Sequence, residues 1–154
     1  MLLKTHVKVI SKLTESEQES CISIFRNVMR LRQKLASTAS EIARSYDLHT
    51  SEMSLLDTLG KYGSLPMGEL AALSFSSPAN ATYTVRSLER RQLLLRKRSK
   101  DSQRVVDVHL TSKGEGIFKK TYPQTTEAVN ELIKSRFTKK ERKEFDKLLE
   151  KLTD

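Results

Sequence analysis

One stretch of this chain departs from the helical spacing of apolar residues, and that departure restricts the fold more than any other sequence feature. In most segments apolar residues recur at helical spacing, as on one face of an amphipathic helix. Between Leu93 and Leu110 the period becomes two, because Val106 and Val108 alternate with polar residues. A polar segment at residues 100–103 divides this stretch into two runs. We therefore predict a mainly helical chain with one small β-hairpin.

Helix start signals divide the rest of the chain. Thr14–Glu17 and Thr138–Glu141 each have the Thr-x-x-Glu pattern of a capping box, which predicts a helix near either end. Ser77 followed by Pro78 predicts the start of the helix before the hairpin. We expect the remaining helices to start at Thr50, Pro66 and Thr111.

Local features give further expectations for these helices. Gly60 and Gly63 should end the helix that Thr50 caps. In the short helix that follows, Leu70 and Leu73 should face inward. Pro123 should kink or break the helix after the hairpin, because proline lacks an amide donor.

The first helix is unusually long for a chain of this size. From its capping box at Thr14 to Tyr46 it covers roughly 30 residues or about 45 Å, and its apolar stripe begins at Ile22. A small domain cannot bury a stripe of that length, so the helix should pack against a partner. A second copy of the chain is the simplest partner.

Composition narrows the function. The chain has 154 residues, 37% of them apolar, and 28 Lys plus Arg against 19 Asp plus Glu, which gives a net charge of +9. Eight basic residues and two acids lie between Arg86 and Arg104, so most of the excess is in one short window. Such a concentration of positive charge is typical of nucleic-acid binding.

Several other classes fit poorly. The single cysteine excludes an internal disulfide, the first residues lack the apolar run of a signal peptide, and no apolar stretch is long enough to span a membrane. We expect a cytoplasmic protein that needs no cofactor. The three histidines are scattered and no phosphate loop or nucleophile motif appears, so we expect neither a metal site nor an enzyme.

The helix beginning after Ser77 has the composition of a DNA-reading helix. Its inner face carries Ala81, Val85 and Leu88, whereas its outer face is polar and basic. Small residues allow close approach to the major groove, and amide, hydroxyl and guanidinium groups can contact base edges. We predict base contacts by Asn80, Thr82, Tyr83 and Arg86.

The hairpin strengthens this prediction because its tip is strongly basic. A basic hairpin can lie along a phosphate backbone or insert an arginine into the minor groove. We predict backbone or wing contacts by Ser77, Arg90, Arg96, Lys97, Arg98, Lys100 and Arg104.

These segments resemble the MarR-type winged-helix transcriptional regulators. Ser77–Thr82 is similar to the family's Ser-Pro-x-Thr-Val-Thr, Leu88–Leu93 to its Leu-Glu-x-x-Gly-Leu, and Leu110–Gly114 to its Leu-Thr-x-x-Gly. Gln92 stands where the family usually has glycine, and Tyr83 replaces a common arginine. In the wing tip Arg104 aligns with the family's wing arginine, whereas Asp101 is out of register.

The resemblance implies a winged helix-turn-helix flanked by long N- and C-terminal dimerisation helices. The expected division is 1–47 for the N-terminal dimerisation helix, 48–110 for the DNA-binding lobe and 111–154 for the C-terminal helices. It also implies a homodimer on a pseudo-palindromic operator, which acts as a repressor and is released by a small aromatic or anionic effector.

The resemblance further implies an effector pocket between the lobe and the flanking helices. The matching positions are Ile42, Tyr46, Met53, Leu56, Phe118 and Tyr122, and the ordinary alternative for each is a core position. One branch of the family senses hydroperoxides through a single cysteine near the place of Cys21. Here Glu17 and Glu19 oppose thiolate formation, which favours a bystander role for Cys21.

Two other functions remain open from the sequence. A basic helical adaptor could bind an acidic protein partner or a membrane surface. A nonspecific architectural protein could bind DNA without a preferred site.

Overall fold

The computed structural model describes residues 14–98 and 106–153 and confirms a mainly helical winged fold. The chain divides into two compact units, Met1–Ser37 and Thr38–Asp154. In chain order the elements are α1 Glu15–Ser45, α2 Thr50–Tyr62, β1 Leu65–Pro66, α3 Met67–Leu73, α4 Pro78–Arg90, β2 Leu94–Arg98, β3 Val106–Leu110, α5 Ser112–Lys134 and α6 Lys139–Thr153.

The described part of the first unit is the N-terminal stretch of α1. The predicted capping box is confirmed, because the Thr14 amide and hydroxyl both donate to Glu17 Oε2 at 2.8 Å. Ile22, Phe25, Val28 and Met29 recur at helical spacing and are all exposed. This stretch therefore presents an apolar stripe to solvent.

The second unit has a small hydrophobic core beneath a three-stranded antiparallel sheet of order β1-β3-β2. Leu55, Leu56, Leu70, Val85 and Leu88 are fully buried in it. The predicted hairpin is confirmed by the pairing of β2 with β3. The additional strand β1 pairs with Asp107 and Val108 of β3, and its two residues are too few for the sequence to show a period.

Five local expectations need correction. Gly60 lies inside α2, which continues to Tyr62, whereas Gly63 is its C-cap as predicted.

The next three concern helix starts and one buried position. α2 is capped at His49, one residue before Thr50. Pro66 lies in β1 and caps α3, which begins at Met67. Leu73 is partly exposed at the end of α3 rather than buried.

The fifth correction concerns Pro123, which does not break α5, because the helix runs continuously from Ser112 to Lys134. Proline removes a single amide donor, and helix is present on both sides of it.

Three helices end in the same motif at residues other than glycine. Asp47, Phe75 and Gln92 have φ values of 56°, 53° and 59°, in the left-handed region. At α4 the Leu93 amide donates to the Leu88 carbonyl and the Gln92 amide to the Glu89 carbonyl, both at 2.9 Å. These are the bonds of a Schellman motif, in which glycine is the usual residue.

Candidate nucleic-acid interface

α4 follows α3 after a short turn and has a buried inner face and an exposed outer face. Ala81, Val85 and Leu88 are fully buried, as predicted from their spacing. Asn80, Arg86 and Arg90 are exposed on the outer side, and Tyr83 is 69% exposed although it is aromatic. The core therefore holds this helix while its polar and basic face remains available to a ligand.

The N-terminus of α4 is capped by Ser77, as predicted. Ser77 Oγ accepts a bond from the Asn80 amide at 3.3 Å, and Pro78 occupies the first helical position. Thr82 Oγ1 donates to the Pro78 carbonyl at 2.8 Å, which leaves its lone pairs free to accept. The first turn thus presents small polar groups at a fixed position.

The end of α4 and strand β2 form a cleft of about 450 Å³, lined by Tyr83, Arg86, Glu89, Arg90 and Arg96. Within it Arg96 donates from Nε to Glu89 Oε1 at 2.9 Å and from Nη2 to Glu89 Oε2 at 2.7 Å. This bond raises the pKa of Arg96 above its ordinary value. Arg96, predicted as a backbone contact, is therefore already bound to a carboxylate.

The described part of the wing carries further positive charge. Lys97 and Arg98 are exposed near the end of β2. The predicted contacts Lys100 and Arg104 lie outside the described residues.

A buried acidic residue on α2 binds the end of α4, and the sequence analysis did not identify it. Glu52, 4% exposed, accepts from the Ser87 hydroxyl at 2.8 Å and from Arg91 Nη1 at 3.2 Å. It also accepts from the His49 amide at 3.0 Å, so it caps α2 as well. A glutamate three residues after a helix cap was the available signal, but the contact with α4 is tertiary.

The predicted effector residues divide into two groups. Met53 and Tyr122 line an open pocket of about 390 Å³ in the second unit. Leu56 lies fully in the hydrophobic core, and Ile42, Tyr46 and Phe118 are half-buried. The Gln124 amide donates to the Tyr46 hydroxyl, which joins the end of α1 to α5.

The same pocket contains residues that the sequence did not single out. Its walls include the aromatic rings of Tyr62 and Phe75, and two charged groups, Asp57 and Lys61. Burial raises the pKa of the Asp57 carboxyl to about 6, and a bond from Thr121 Oγ1 at 3.4 Å opposes that rise. The pocket therefore combines aromatic surface with groups that can fix a polar ligand.

Cys21, the candidate redox residue, is exposed on α1. Within residues 14–98 and 106–153, no His, Cys, Asp and Glu side chains cluster in a way that could hold a metal ion. In the same ranges, no helix is long and apolar enough to cross a membrane.

A three-helix lobe with an exposed basic helix and an antiparallel wing defines a winged helix-turn-helix DNA-binding protein. The model of the MarR family matches residues 48–106. The uncharacterized HTH-type transcriptional regulator YwaE of Bacillus subtilis is 30% identical to this chain, over 99% of this chain and 92% of that protein. The chain therefore belongs to the MarR family, and it is a DNA-binding transcriptional regulator of a family that is not enzymatic.

Solved structures agree on the fold. AbsC, a MarR family regulator from Streptomyces coelicolor, superposes with a TM-score of 0.78 at 19% identity, covering 92% of this chain and 94% of that chain. BpsR of Bordetella bronchiseptica, whose DNA binding is regulated by 6-hydroxynicotinic acid, has a TM-score of 0.71 at 19% identity. The match covers 86% of this chain and 99% of BpsR.

Proposed function

We propose that the protein is a sequence-specific repressor that binds a pseudo-palindromic DNA operator as a homodimer in the cytoplasm. The observation that carries this proposal is the outer face of α4, where Asn80, Tyr83 and Arg86 stand exposed on a helix whose other face is anchored in the core. Such a helix can enter the major groove without reorganising its support. A dimer bound over a promoter would exclude the transcription machinery.

The individual roles follow from position and charge. Asn80, Thr82, Tyr83 and Arg86 contact base edges, because they lie on the outer side and shoulders of α4. Ser77, Arg90, Lys97 and Arg98 contact the backbone from the start of α4, its last turn and the wing. Lys100 and Arg104 would extend these contacts at the wing tip.

The homodimer is supported by apolar surface in each unit. In the first unit Ile22, Phe25 and Val28 are exposed on α1, and in the second unit Leu148 and Leu152 are exposed on α6. Large apolar side chains at helical spacing are typical of surfaces that a partner covers. We accordingly assign dimerisation to residues 1–47 and 111–154 and DNA binding to residues 48–110.

Effector release is supported by the pocket on α2. Its volume of about 390 Å³ lies within the range of small-molecule sites, and its aromatic walls with Lys61 suit an aromatic acid. Phe75, 99% exposed, lines this pocket two residues before the N-cap of α4. A ligand that covers the Phe75 ring would therefore act directly on the start of the DNA-reading helix. We assign no sensing role to Cys21.

Fluorescence anisotropy on two duplexes tests this function. One duplex is the sequence that wild-type protein enriches from a randomised pool, and the other is a scrambled version. We expect a preference of roughly 10³-fold or more, which falls with added salt. Equal affinity for both duplexes would indicate an architectural protein, and no binding at low salt would favour the adaptor.

A further inference from the structure

The ion pair between Glu89 and Arg96 joins the two DNA-facing elements of the lobe. Glu89 lies in the last turn of α4, and Arg96 lies in the middle of β2. Both carboxylate oxygens are engaged, at 2.9 and 2.7 Å, in a side-on bidentate arrangement. The side chains are only 24% and 36% exposed. Surface ion pairs of this geometry, unlike most, have appreciable strength.

The pair changes which guanidinium groups are available to DNA. Arg86 and Arg90 line the same cleft, and neither has an ion-pair partner within the described ranges. Arg96, by contrast, directs two of its nitrogen donors at Glu89. Its charge is therefore largely neutralised at the surface that would face phosphate.

The pair also fixes the wing. Arg96 stands opposite Val108 in the register of β2 and β3, and Val108 is fully buried in the central strand. Because Arg96 is part of the sheet at this position, its bond to Glu89 attaches the sheet to the DNA-reading helix.

We infer that Glu89 determines specificity by withholding the Arg96 guanidinium from the DNA backbone and by holding the wing in register with α4. This inference rests on the proposed sequence-specific binding. It replaces the predicted backbone contact of Arg96 with a positioning role. A phosphate contact is the same on every sequence, so removing one lowers nonspecific binding without weakening contacts to base edges.

Glu89→Gln tests the inference through the salt dependence of binding. The amide is similar in size but leaves Arg96 uncompensated. On a random-sequence duplex we expect log K against log salt to become steeper by about 0.9, which corresponds to one more neutralised phosphate. Affinity for that duplex at low salt should rise about 3- to 10-fold, so the preference for the selected duplex should fall. An unchanged or shallower slope would overturn the inference.

A double variant and a charge control separate the possible causes. Glu89→Gln combined with Arg96→Ala should return the salt slope to the wild-type value, because the released charge is absent. A slope about 0.9 shallower than wild type would instead show that Arg96 already contacts phosphate and would refute the inference. Glu115→Gln removes an equal charge from the exposed pair with Lys119 on α5 and should leave the slope unchanged. A matching change in Glu115→Gln would assign the effect to net charge.

The slope measurement is independent of the proposed operator. If selection by wild-type protein enriches no sequence, the proposed specific function fails. The random duplex then still shows whether Glu89 restrains Arg96. Thermal melting of each variant shows that a changed slope comes from folded protein.

Discussion

Arg91 Nη1 donates to Glu52 Oε2 at 3.2 Å, and this bond ties the end of α4 to the start of α2. The same guanidinium reaches Asp47 Oδ2 at 3.4 Å, in the turn that ends α1. Arg91 therefore joins three helix termini around one nearly buried carboxylate. α4 is therefore held by this polar contact at its end as well as by its apolar face.

Glu52→Ala should destabilise the fold by about 2 kcal/mol, because it leaves the Ser87 hydroxyl and one side of Arg91 without a partner. Urea unfolding measures the free energy. Glu115→Ala breaks only an exposed pair and should cost less than about 0.5 kcal/mol. Equal losses in the two variants would contradict the role given to Glu52.

Asp57→Asn should stabilise the protein at neutral pH and have no effect in acid. Because burial raises the pKa of Asp57 to about 6 from 3.8, the folded chain binds this proton more tightly than the unfolded chain. Ionisation above that pKa opposes folding, whereas below about pH 4 the group is protonated in both states. Since the side chain is partly solvated, we expect a gain of about 1–2 kcal/mol at pH 7.

Urea unfolding of wild type and Asp57→Asn between about pH 4 and pH 8 gives this difference. The difference should grow between about pH 4 and pH 6, where the unfolded chain has lost the Asp57 proton and the folded chain still holds it, and should level off above the folded pKa of about 6. The same change at the exposed Asp146 on α6 serves as a matched control for replacing one carboxylate by an amide. A difference that is constant with pH would exclude the raised pKa of Asp57.

Gln92→Gly should stabilise the protein by about 0.5–1 kcal/mol. Gln92 has a φ of 59°, in the left-handed region that a side chain disfavours and glycine adopts readily. Gln33→Gly, within helix α1, is the matched control and should destabilise by about 1 kcal/mol. Thermal melting distinguishes the two signs, and a loss of stability in Gln92→Gly would show that its side chain makes a compensating contact.

Gly114→Ala should destabilise the protein by about 1–3 kcal/mol, because a Cβ there would collide with the backbone carbonyl of Leu93. Gly116 lies in the same helix, and a Cβ there would meet no neighbouring atom within 4 Å. Gly116→Ala should therefore stabilise by up to about 1 kcal/mol through its higher helix propensity. Chemical denaturation of both variants is the measurement, and the same sign for both would refute the close approach.

Arg86→Ala should lower affinity for the selected duplex by roughly 1–3 kcal/mol and reduce sequence preference. Arg90→Ala, one turn further along α4, should instead weaken binding to selected and random duplexes alike. Anisotropy titrations on both duplexes compare the two variants. An equal loss on random DNA for Arg86→Ala would place Arg86 on the backbone instead.

Much of the candidate site could be read from the sequence because it depends on local signals. The spacing of Ala81, Val85 and Leu88 identified the buried face of α4, and the outer face followed by rotation about the helix. Ser77 and Pro78 located the helix start through side-chain capping. The partner of Arg96 was not predictable, because Glu89 meets it only after β2 folds back beside α4.

The sequence by itself determined which segments form helices, where the wing begins and which face of α4 is polar. Periodicity and capping depend on residues close together in the sequence, so they can be recognised without knowledge of the tertiary structure. Only the tertiary structure decided that Glu52 supports α4, that Glu89 binds Arg96 and that Pro123 lies within an unbroken helix. These features arise when separate elements pack together, because packing decides which charged groups meet and whether a helix continues through a proline.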